Sequence, residues 1–340
     1  MMRRMWIGWL VLALLVGVVP PVIAQQQKIV VYSALPDLET SLIHREFTRR
    51  TGIPVEALSV AAAGTLQARI RAEKDRPRAD IFVGGSRDFH IPLAKEGLLV
   101  KYRSPVAAEA KISPAYLDPD GYWHGWYLGA LSIIINSERW DRELAPRGVR
   151  KPATWDDLIR PEFKGHFVMP SPVTTGGGYI FVAVQIFRLG EDRAWAYLKA
   201  LNANASQYTP TAPGTITLLE RGEAIVAMMW AHEAIGARIL RAAPLEVIVP
   251  PDTGFEIGAV SIIKGGPNPA GARAYVDFLM TRTPQDINAR YGFRYPVRAD
   301  VGVPAGATPF EQLKFVKYDL EWAIQNQTRI RERWTREIGR

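Results

Sequence analysis

Lys28-Ile-Val-Val-Tyr-Ser-Ala-Leu-Pro36 is the stretch that decides the fold, because it is a β-branched run that stops at small residues and proline. Such a run predicts a buried first strand, since β-branched side chains pack well on a covered sheet. Leu38 to Arg50 follows with apolar residues at helical spacing and ends before Gly52, which predicts a helix. Strand, short turn and helix in this order form the repeating unit of an α/β protein.

The same order recurs along the chain, and strands that alternate with helices predict a parallel sheet with helices on both faces. The length of 340 residues fits about two such lobes. We expect the chain to cross between them near Leu128 to Ser132 and again near Phe255 to Val260. Further strands are predicted over Pro54 to Leu58, Ala79 to Val83, Leu128 to Asn136, Lys164 to Met169, Ile225 to Trp230, Leu245 to Pro250 and Ile257 to Ile263. Further helices are predicted from Gly64, Thr154 and Tyr179 and over Ala194 to Asn202, Ile216 to Arg221, Ala270 to Met280 and Phe310 to Glu337.

The first 24 residues have the composition of a secretory signal peptide. Arg3 and Arg4 form a basic head, and an apolar run from Trp6 to Val19 leads to the small residue Ala24. The run is short for a bilayer span, which needs roughly 20 apolar residues. We therefore expect cleavage after Ala24 and export to the periplasm, with an uncleaved membrane anchor as the alternative.

The chain contains no cysteine, so the exported form has no disulfides and no cysteine for a lipoprotein tether. We therefore expect a protein that is not membrane-anchored. The formal net charge of +8 favours an anionic partner. The basic tail from Arg329 to Arg340 carries no basic-aromatic motif, so no nucleic acid is expected.

Several loops between a strand and a helix carry small and hydroxyl residues. Free N–H groups at helix N-termini bind anions, and glycine lets an anion approach the backbone closely. The most distinctive loop is Thr174 to Gly178, directly before a long helix, although any α/β protein contains some loops of this kind. The ligand-binding residues predicted from these loops are Ser33, Ala34, Gly64, Thr65, Gly85, Ser86, Thr174, Thr175, Gly176 and Gly177.

Side chains near the predicted crossings add a second set of candidates. Glu256 stands in an apolar strand, where a carboxylate is costly unless it is paired. It either accepts hydrogen bonds from ligand hydroxyls or an ammonium, or it pairs with an arginine. The stretch Trp230-Ala-His-Glu233 is either a wall of the binding cleft or a core tryptophan beside a surface histidine. The ligand-binding residues predicted here are Tyr127, Trp230, His232, Glu233 and Glu256.

Catalytic and metal motifs are absent from the sequence. It contains no GxSxG, GxxxxGK[ST], GxGxxG or HExxH, and its five histidines lack metal-ligand spacing. No catalytic residue, metal site or cofactor is therefore predicted. An exported hydrolase remains an alternative that needs a nucleophile or a metal.

Five segments together resemble the ferric-iron-binding-like family of periplasmic ABC transporter substrate-binding proteins (extracellular solute-binding protein family 1), which includes hexose-phosphate and phosphonate binders. They are Ile29 to Ser33, Ala79 to Val83, Thr154 to Leu158, Ser171 to Tyr179 and Phe255 to Lys264. The resemblance implies the type II periplasmic binding protein fold, an α/β fold whose two lobes each have a mixed sheet flanked by helices. Two hinge crossings join the lobes.

On this resemblance, lobe 1 comprises residues 25–128 and 259–305, lobe 2 comprises 129–258, and the C-terminal helices in 306–340 pack on lobe 2. The resemblance also implies an inner-membrane ABC permease with a cytoplasmic ATPase as the partner. A monomer is expected, because the protein must open, close and dock.

The family resemblance also bears on the ligand. The iron-binding members of the family use an adjacent tyrosine pair. The matching stretch here is Trp230 to Glu233, and the chain contains no Tyr-Tyr pair. Ferric iron prefers hard oxygen ligands, which disfavours an iron site. The sugar-phosphate-binding members place hydroxyls and amides around the phosphate, and a histidine with acidic residues around the sugar. The matching positions are Ser33, Thr174, Thr175 and Gly176 for the first role, and His232, Glu233 and Glu256 for the second. The expected ligand is a small organic phosphate or phosphonate, with ferric iron as the alternative.

Overall fold

A computed structural model describes residues 27–60 and 62–339, so the predicted signal peptide 1–24 lies outside the described residues. The strands of the described chain are β1 (Ile29–Ser33), β2 (Val55–Ser59), β3 (Ile81–Ser86), β4 (His124–Asn136), β5 (Phe167–Pro170), β6 (Ala205–Thr209), β7 (Val226–Trp230), β8 (Leu245–Ile248), β9 (Phe255–Ile262) and β10 (Tyr295–Pro296). They form a sheet with the order β2-β1-β3-β9-β4-β7-β5-β6, in which β8 and β10 also pair with β4.

The sheet is mixed. Strands β1, β2 and β3 are parallel to one another, as are β5, β6 and β7. Strand β9 runs antiparallel to both β3 and β4, and β4 runs antiparallel to β7. The predicted α/β fold with mixed sheets flanked by helices is therefore confirmed.

The helices of the described chain lie mostly where the strand–helix alternation predicts them. They are α1 (Asp37–Thr51), α2 (Ala63–Ala72), α3 (Arg87–Lys95), α4 (Pro105–Glu109), α5 (Ser137–Arg139), α6 (Gly176–Leu189), α7 (Glu191–Asn204), α8 (Ala212–Glu220), α9 (Ala231–Arg241), α10 (Pro269–Met280), α11 (Arg282–Ile287), α12 (Leu320–Gln325) and α13 (Gln327–Glu337). None of the helices in this part of the chain is long and apolar enough to cross a bilayer.

Two helical predictions need correction. The segment from Thr154 forms only a short 3-10 helix, Trp155–Ile159, although Thr154 caps it through a capping box with Asp157. The predicted helix from Phe310 to Glu337 is interrupted, because residues 313–319 run without helical structure before α12 begins at Leu320. Thr253 and Phe315 form an isolated β-bridge within that stretch, which favours an extended chain over a continuous helix.

Strands β4 and β9 connect the two halves of the sheet. Every residue of β4 is buried, and the strand pairs first with β9 and β10 and then with β7 and β8. Leu128 lies opposite Ile257, and Leu131 lies opposite Trp230. The two predicted crossings fall within these strands, and we retain the proposed lobe boundaries at 128/129 and 258/259.

The apolar core is divided in the same way. The largest cluster surrounds β5, β7 and α6 and includes Trp155, Phe181 and Trp195. A second cluster surrounds β1, β9 and α10. Ile330 and Trp334 of α13 belong to the first of these clusters, so the C-terminal helix buries its apolar face against the half that contains α6.

Candidate functional site

A small cavity lies between the two halves of the molecule, and we call it the cleft. Its volume is about 40 Å³, which is room for a few water molecules. Its lining residues come from both halves and are Ala34, Leu35, Ala63, Gly85, Tyr127, Thr175, Gly176, Gly177, Ala212, Trp230, His232, Glu233, Glu256 and Arg294.

The cleft is surrounded by helix beginnings. Residues at or just before the first turns of α1, α2, α3, α6, α8 and α9 all contribute to its lining. Each of these helices follows a strand of the sheet, and open α/β sheets bind ligands at the carboxyl ends of their strands. Helix N-termini carry free N–H groups and a partial positive charge, so their convergence makes an anion site.

The start of α6 shows most clearly how the backbone is prepared for an anion. The Thr175 hydroxyl accepts a hydrogen bond from Gly178 N at 3.2 Å and donates one to Ser171 O at 2.7 Å, so it caps the helix. The N–H groups of Gly176 and Gly177 have no acceptor among the described residues. These two amides are free to bind a ligand that enters the cleft.

Glycine is required at this helix start by the surrounding packing. A Cβ on Gly177 would lie 3.0 Å from Trp230 Nε1, and a Cβ on Gly178 would lie 2.4 Å from Pro170 O. The Trp230 indole N–H donates no hydrogen bond to any described residue, so it is a further donor at the same end of the cleft.

The two halves touch each other beside the cleft. A Cβ built on Gly64 of α2 would lie 3.0 Å from Thr174 O, and one built on Gly176 would lie 3.1 Å from Phe89 Cε2. Gly64 and Phe89 belong to the half with β1, whereas Thr174 and Gly176 belong to the half with β5. The cleft is therefore closed in this structure.

His232 and Glu256 form a second, hydrogen-bonding region of the cleft. A Cβ on Gly129 would lie 2.9 Å from His232 Nδ1 and 3.1 Å from Glu256 Oε1, so both side chains pack over this glycine. Within the described chain, His232 Nδ1 is buried without a partner, and the Glu256 carboxyl makes no hydrogen bond. Buried polar atoms without partners are rare in folded proteins, so the His232 imidazole is suited to meet a ligand, and the unbonded Glu256 carboxyl lies beside it.

Arg294 is a buried cation of the cleft that no sequence pattern predicts. Its side chain is only 3% exposed, and its guanidinium pairs with Glu39 and, at 3.3 Å, with Glu233. The guanidinium also lies over the Tyr127 ring, 5.2 Å from the ring centroid. Pairing with an arginine was one of the alternatives predicted for Glu256. The structure has such pairs at Glu39 and Glu233.

The local sequence contains little that would have identified Arg294 or Glu39. Glu39 stands in the first turn of an amphipathic helix, where most acidic residues face solvent. Arg294 follows the π-helical turn Asn288–Gly292 and precedes β10, which pairs with Tyr127 and Leu128. Only this tertiary pairing brings it to the cleft.

Burial shifts the pKa values of the cleft groups in opposite directions for acids and bases. It lowers the pKa of His232 to about 4, so the imidazole is neutral at pH 7. It raises the pKa of Glu256 to about 8 and that of Glu39 to about 7, although Arg294 acts against both shifts. For Glu233, His232 and Arg294 outweigh burial, and its pKa lies below the ordinary value.

These protonation states suit a ligand with hydroxyl groups. A mostly protonated Glu256 can both donate and accept, as can the neutral imidazole of His232. A hydroxyl group likewise donates and accepts, so it can pair with either side chain without leaving a buried charge uncompensated.

The cleft contains ten of the fifteen residues predicted from the sequence, and the other five lie beside it. Ser33 is fully buried at the end of β1 and accepts from Leu35 N at 3.2 Å. Ser86 caps α3 and bonds Asp88, and Thr174 donates to Pro210 O at 2.8 Å. Gly64 and Thr65 lie in the first turn of α2, behind Ala63. The hydroxyls of Ser33, Ser86 and Thr174 complete turns and caps in this structure, and their contact with a ligand stays a prediction.

Potential metal ligands do not cluster in the described part of the chain. The described residues contain no group of three or more histidine and acidic residues placed to hold a metal ion. Tyr127 is the tyrosine that lines the cleft. Burial raises the pKa of its phenol well above the ordinary value, and the hydroxyl accepts from Gly85 N at 3.1 Å.

Known proteins are similar to this chain in structure or in sequence. The periplasmic binding protein AfuA from Actinobacillus pleuropneumoniae, solved with exogenous fructose-6-phosphate bound, superposes with a TM-score of 0.85 at 29% identity and covers 92% of this chain and 98% of its own. Iron uptake protein A1 of a Synechocystis species is 24% identical over 308 residues, covering 85% of this chain and 81% of its own. A protein of Salmonella typhimurium named as a candidate 2-aminoethylphosphonate-binding periplasmic protein is 24% identical over 262 residues, covering 75% and 73%.

Residues 76–320 match the family described as bacterial extracellular solute-binding protein. This range contains most of the sheet and most of the cleft lining. The two-half fold, the closed cleft between the halves and this match agree with one another. The chain therefore belongs to the bacterial extracellular solute-binding protein family, which comprises periplasmic substrate-binding proteins of ABC transporters.

Proposed function

We propose that this protein captures a small organic phosphate, such as a sugar phosphate, or a phosphonate in the cleft and delivers it to an inner-membrane permease. One observation carries the proposal: the free amides of Gly176 and Gly177 open into the same small cavity as His232 and Glu256. The amides suit an oxyanion, and the two side chains suit hydroxyl groups.

The charges of the cleft support a ligand with an anionic end and a hydrogen-bonding end. The first turn of α6 carries no acidic residue, so its amides and the Trp230 indole supply donors without a carboxylate among them. Glu39 and Glu233, in the first turns of α1 and α9, are paired with Arg294. Arg294, by contrast, is already paired with Glu39 and Glu233, so it is not a free cation for the phosphate. The similarity to AfuA, whose solved structure has fructose-6-phosphate bound, is in line with this division.

The cavity volume adds a requirement for motion. Ligand pockets typically measure about 300–1,000 Å³, whereas the closed cleft measures about 40 Å³. A hexose phosphate therefore needs the two halves to separate about β4 and β9 before it can enter. Such hinge motion is the behaviour proposed for the two lobes.

Calorimetry with the purified, ligand-stripped protein tests the proposal. We expect fructose 6-phosphate or a related phosphate ester to bind with a Kd of about 1 μM or tighter, which is roughly −8 kcal/mol. Fructose carries only the hydroxyl groups and inorganic phosphate only the anion. Each should bind at least about a hundredfold more weakly, because each lacks contacts that contribute roughly 3 kcal/mol. Ferric citrate should give neither heat nor a visible charge-transfer band.

Thr175→Ala tests whether the cap of α6 positions the amides that bind the phosphate. Because the Thr175 hydroxyl caps α6 and thereby fixes the Gly176 and Gly177 amides, its loss should weaken phosphate binding strongly. Thr335→Ala, which removes an exposed hydroxyl on α13, should bind as the parent does. An absence of heat with every phosphate ester and phosphonate, from protein shown to be folded, would refute the proposed ligand class.

A further inference from the structure

Arg294 joins elements that belong to different halves of the molecule. Glu39 lies in the first turn of α1, which follows β1 at one end of the sheet. Glu233 lies in the first turn of α9, which follows β7 on the other side of β4. A single buried guanidinium contacts both carboxylates.

The backbone before Arg294 has a conformation that positions this side chain. Phe293 has a φ of 53°, a left-handed conformation that costs a residue with a side chain free energy. A Cβ on Gly292 would lie 2.6 Å from Arg294 Nη1 and 3.3 Å from Glu39 Cδ, so only glycine leaves room for the pair. Strain and a required glycine in adjacent positions indicate that this geometry is strongly specified.

Apolar packing supports the same connection between the halves. Phe293 is buried in a small cluster with Ala231 and Ile235 of α9. A Cβ on Gly236 would lie 3.1 Å from Phe293 Cδ2, which places the ring directly against the helix. The dipeptide Phe293-Arg294 therefore contacts α9 through both side chains, while Arg294 also holds α1.

The buried charges make the contact sensitive to opening. Arg294 Nε has no partner within the described chain, so Glu39 and Glu233 are its compensating groups. A buried charge that loses a counter-charge is strongly destabilised unless water replaces it. If the halves separate, the contact with Glu233 breaks and Arg294 keeps only Glu39.

We propose that Arg294 is an interlobe positioning residue, which favours the closed cleft by joining Glu39 to Glu233 and orients the Glu233 carboxylate in the ligand site. This rests on the proposed function in so far as the cleft binds a ligand by closing. Arg294 acts through Glu233 and not through the ligand's phosphate. Its loss should thus change both the distance between the lobes and the affinity.

The test measures both quantities on the same proteins. Because the chain contains no cysteine, the pair Lys74→Cys and Glu138→Cys allows one spin label on each half at exposed positions. Pulsed electron resonance then gives the interlobe distance with and without fructose 6-phosphate, and calorimetry gives the affinity. Arg45→Met, an exposed arginine on α1, serves as the matched control.

We expect Arg294→Met to shift the ligand-free protein towards longer distances and to weaken fructose 6-phosphate binding by at least about tenfold, because fewer molecules are closed before binding. Arg294→Lys keeps a charge but lacks the fork needed to hold both carboxylates, so it should fall between the parent and Arg294→Met. If Arg294→Met does not fold, Glu233→Gln, which weakens the contact between the lobes, should give the same shift of the ligand-free distances in a smaller amount.

A folded Arg294→Met or Glu233→Gln protein with the parent's distance distribution would overturn the inference. The interlobe distance of the ligand-free protein does not depend on which ligand the protein binds. If the parent protein binds no phosphate ester but the distances still shift, the proposed function fails and the positioning role of Arg294 stands.

Discussion

Glu256 makes the stability of the ligand-free protein depend on pH in a defined direction. Burial raises the pKa of this carboxyl from 4.5 to about 8, so the native state retains a proton that the unfolded chain has already released. Between these two pKa values the native state binds more protons than the unfolded state. The free energy of unfolding therefore falls as the pH rises through this window.

The magnitude follows from the size of the shift. Each pKa unit corresponds to about 1.4 kcal/mol, so Glu256 should remove about 3 kcal/mol of stability between pH 5 and pH 8. A glutamine at this position keeps the shape and one acceptor but cannot ionise. We therefore expect the free energy of unfolding of Glu256→Gln to fall by about 3 kcal/mol less than that of the parent between pH 5 and pH 8. At pH 8 the variant should be the more stable protein.

Urea unfolding followed by tryptophan fluorescence at pH 5 and pH 8 measures this difference. Comparison of the two proteins isolates Glu256, because Glu39 and the buried histidines contribute equally to both. Glu138→Gln, at an exposed position of α5, should follow the parent curve. Parallel pH dependences for the parent and Glu256→Gln would refute the reasoning that Glu256 is a buried, unpaired acid.

Two further predictions concern glycines whose surroundings leave no room for a side chain. Gly177→Ala places a Cβ 3.0 Å from Trp230 Nε1 in the cleft, so calorimetry should show ligand affinity reduced by about tenfold or more, equivalent to about 1.4 kcal/mol. Gly302→Ala, which meets no atom within 4 Å, should retain full affinity. Gly258→Ala places a Cβ 1.9 Å from Tyr127 Cζ, and thermal unfolding should show a loss of about 1–3 kcal/mol; an unchanged melting temperature would contradict the packing described at this crossing.

The cleft could be located from the sequence because local patterns encode it. Each strand that ends in small residues before a helix places a helix beginning at the carboxyl edge of the sheet, as at Ala34, Gly85 and Gly176. The Gly-rich start of α6 is encoded in consecutive residues, and its free amides follow from helix geometry alone.

The ionic contacts could not be predicted in the same way. Arg294 and Glu39 are distant in sequence, and neither shows a pattern different from a solvated side chain. Their meeting depends on the antiparallel pairing of β10 with β4, which no local period specifies. Helix α9 was not predicted either, because Trp230 at its N-cap position is not one of the residue types that typically precede a helix.

The roles of the hydroxyls were harder to predict than their positions. Ser33, Ser86 and Thr175 bond to nearby backbone and side-chain groups, so they organise the loops that form the cleft. A sequence does not distinguish a hydroxyl that caps a helix from one that meets a ligand, because the same residue types serve both purposes.

A crystal structure of the complex with fructose 6-phosphate tests the central claim most directly. Phosphate oxygens should lie within about 3.2 Å of the backbone nitrogens of Gly176 and Gly177, and sugar hydroxyls should face His232 and Glu256. A ligand bound outside the cleft, or one whose phosphate lies against Glu256, would contradict the account.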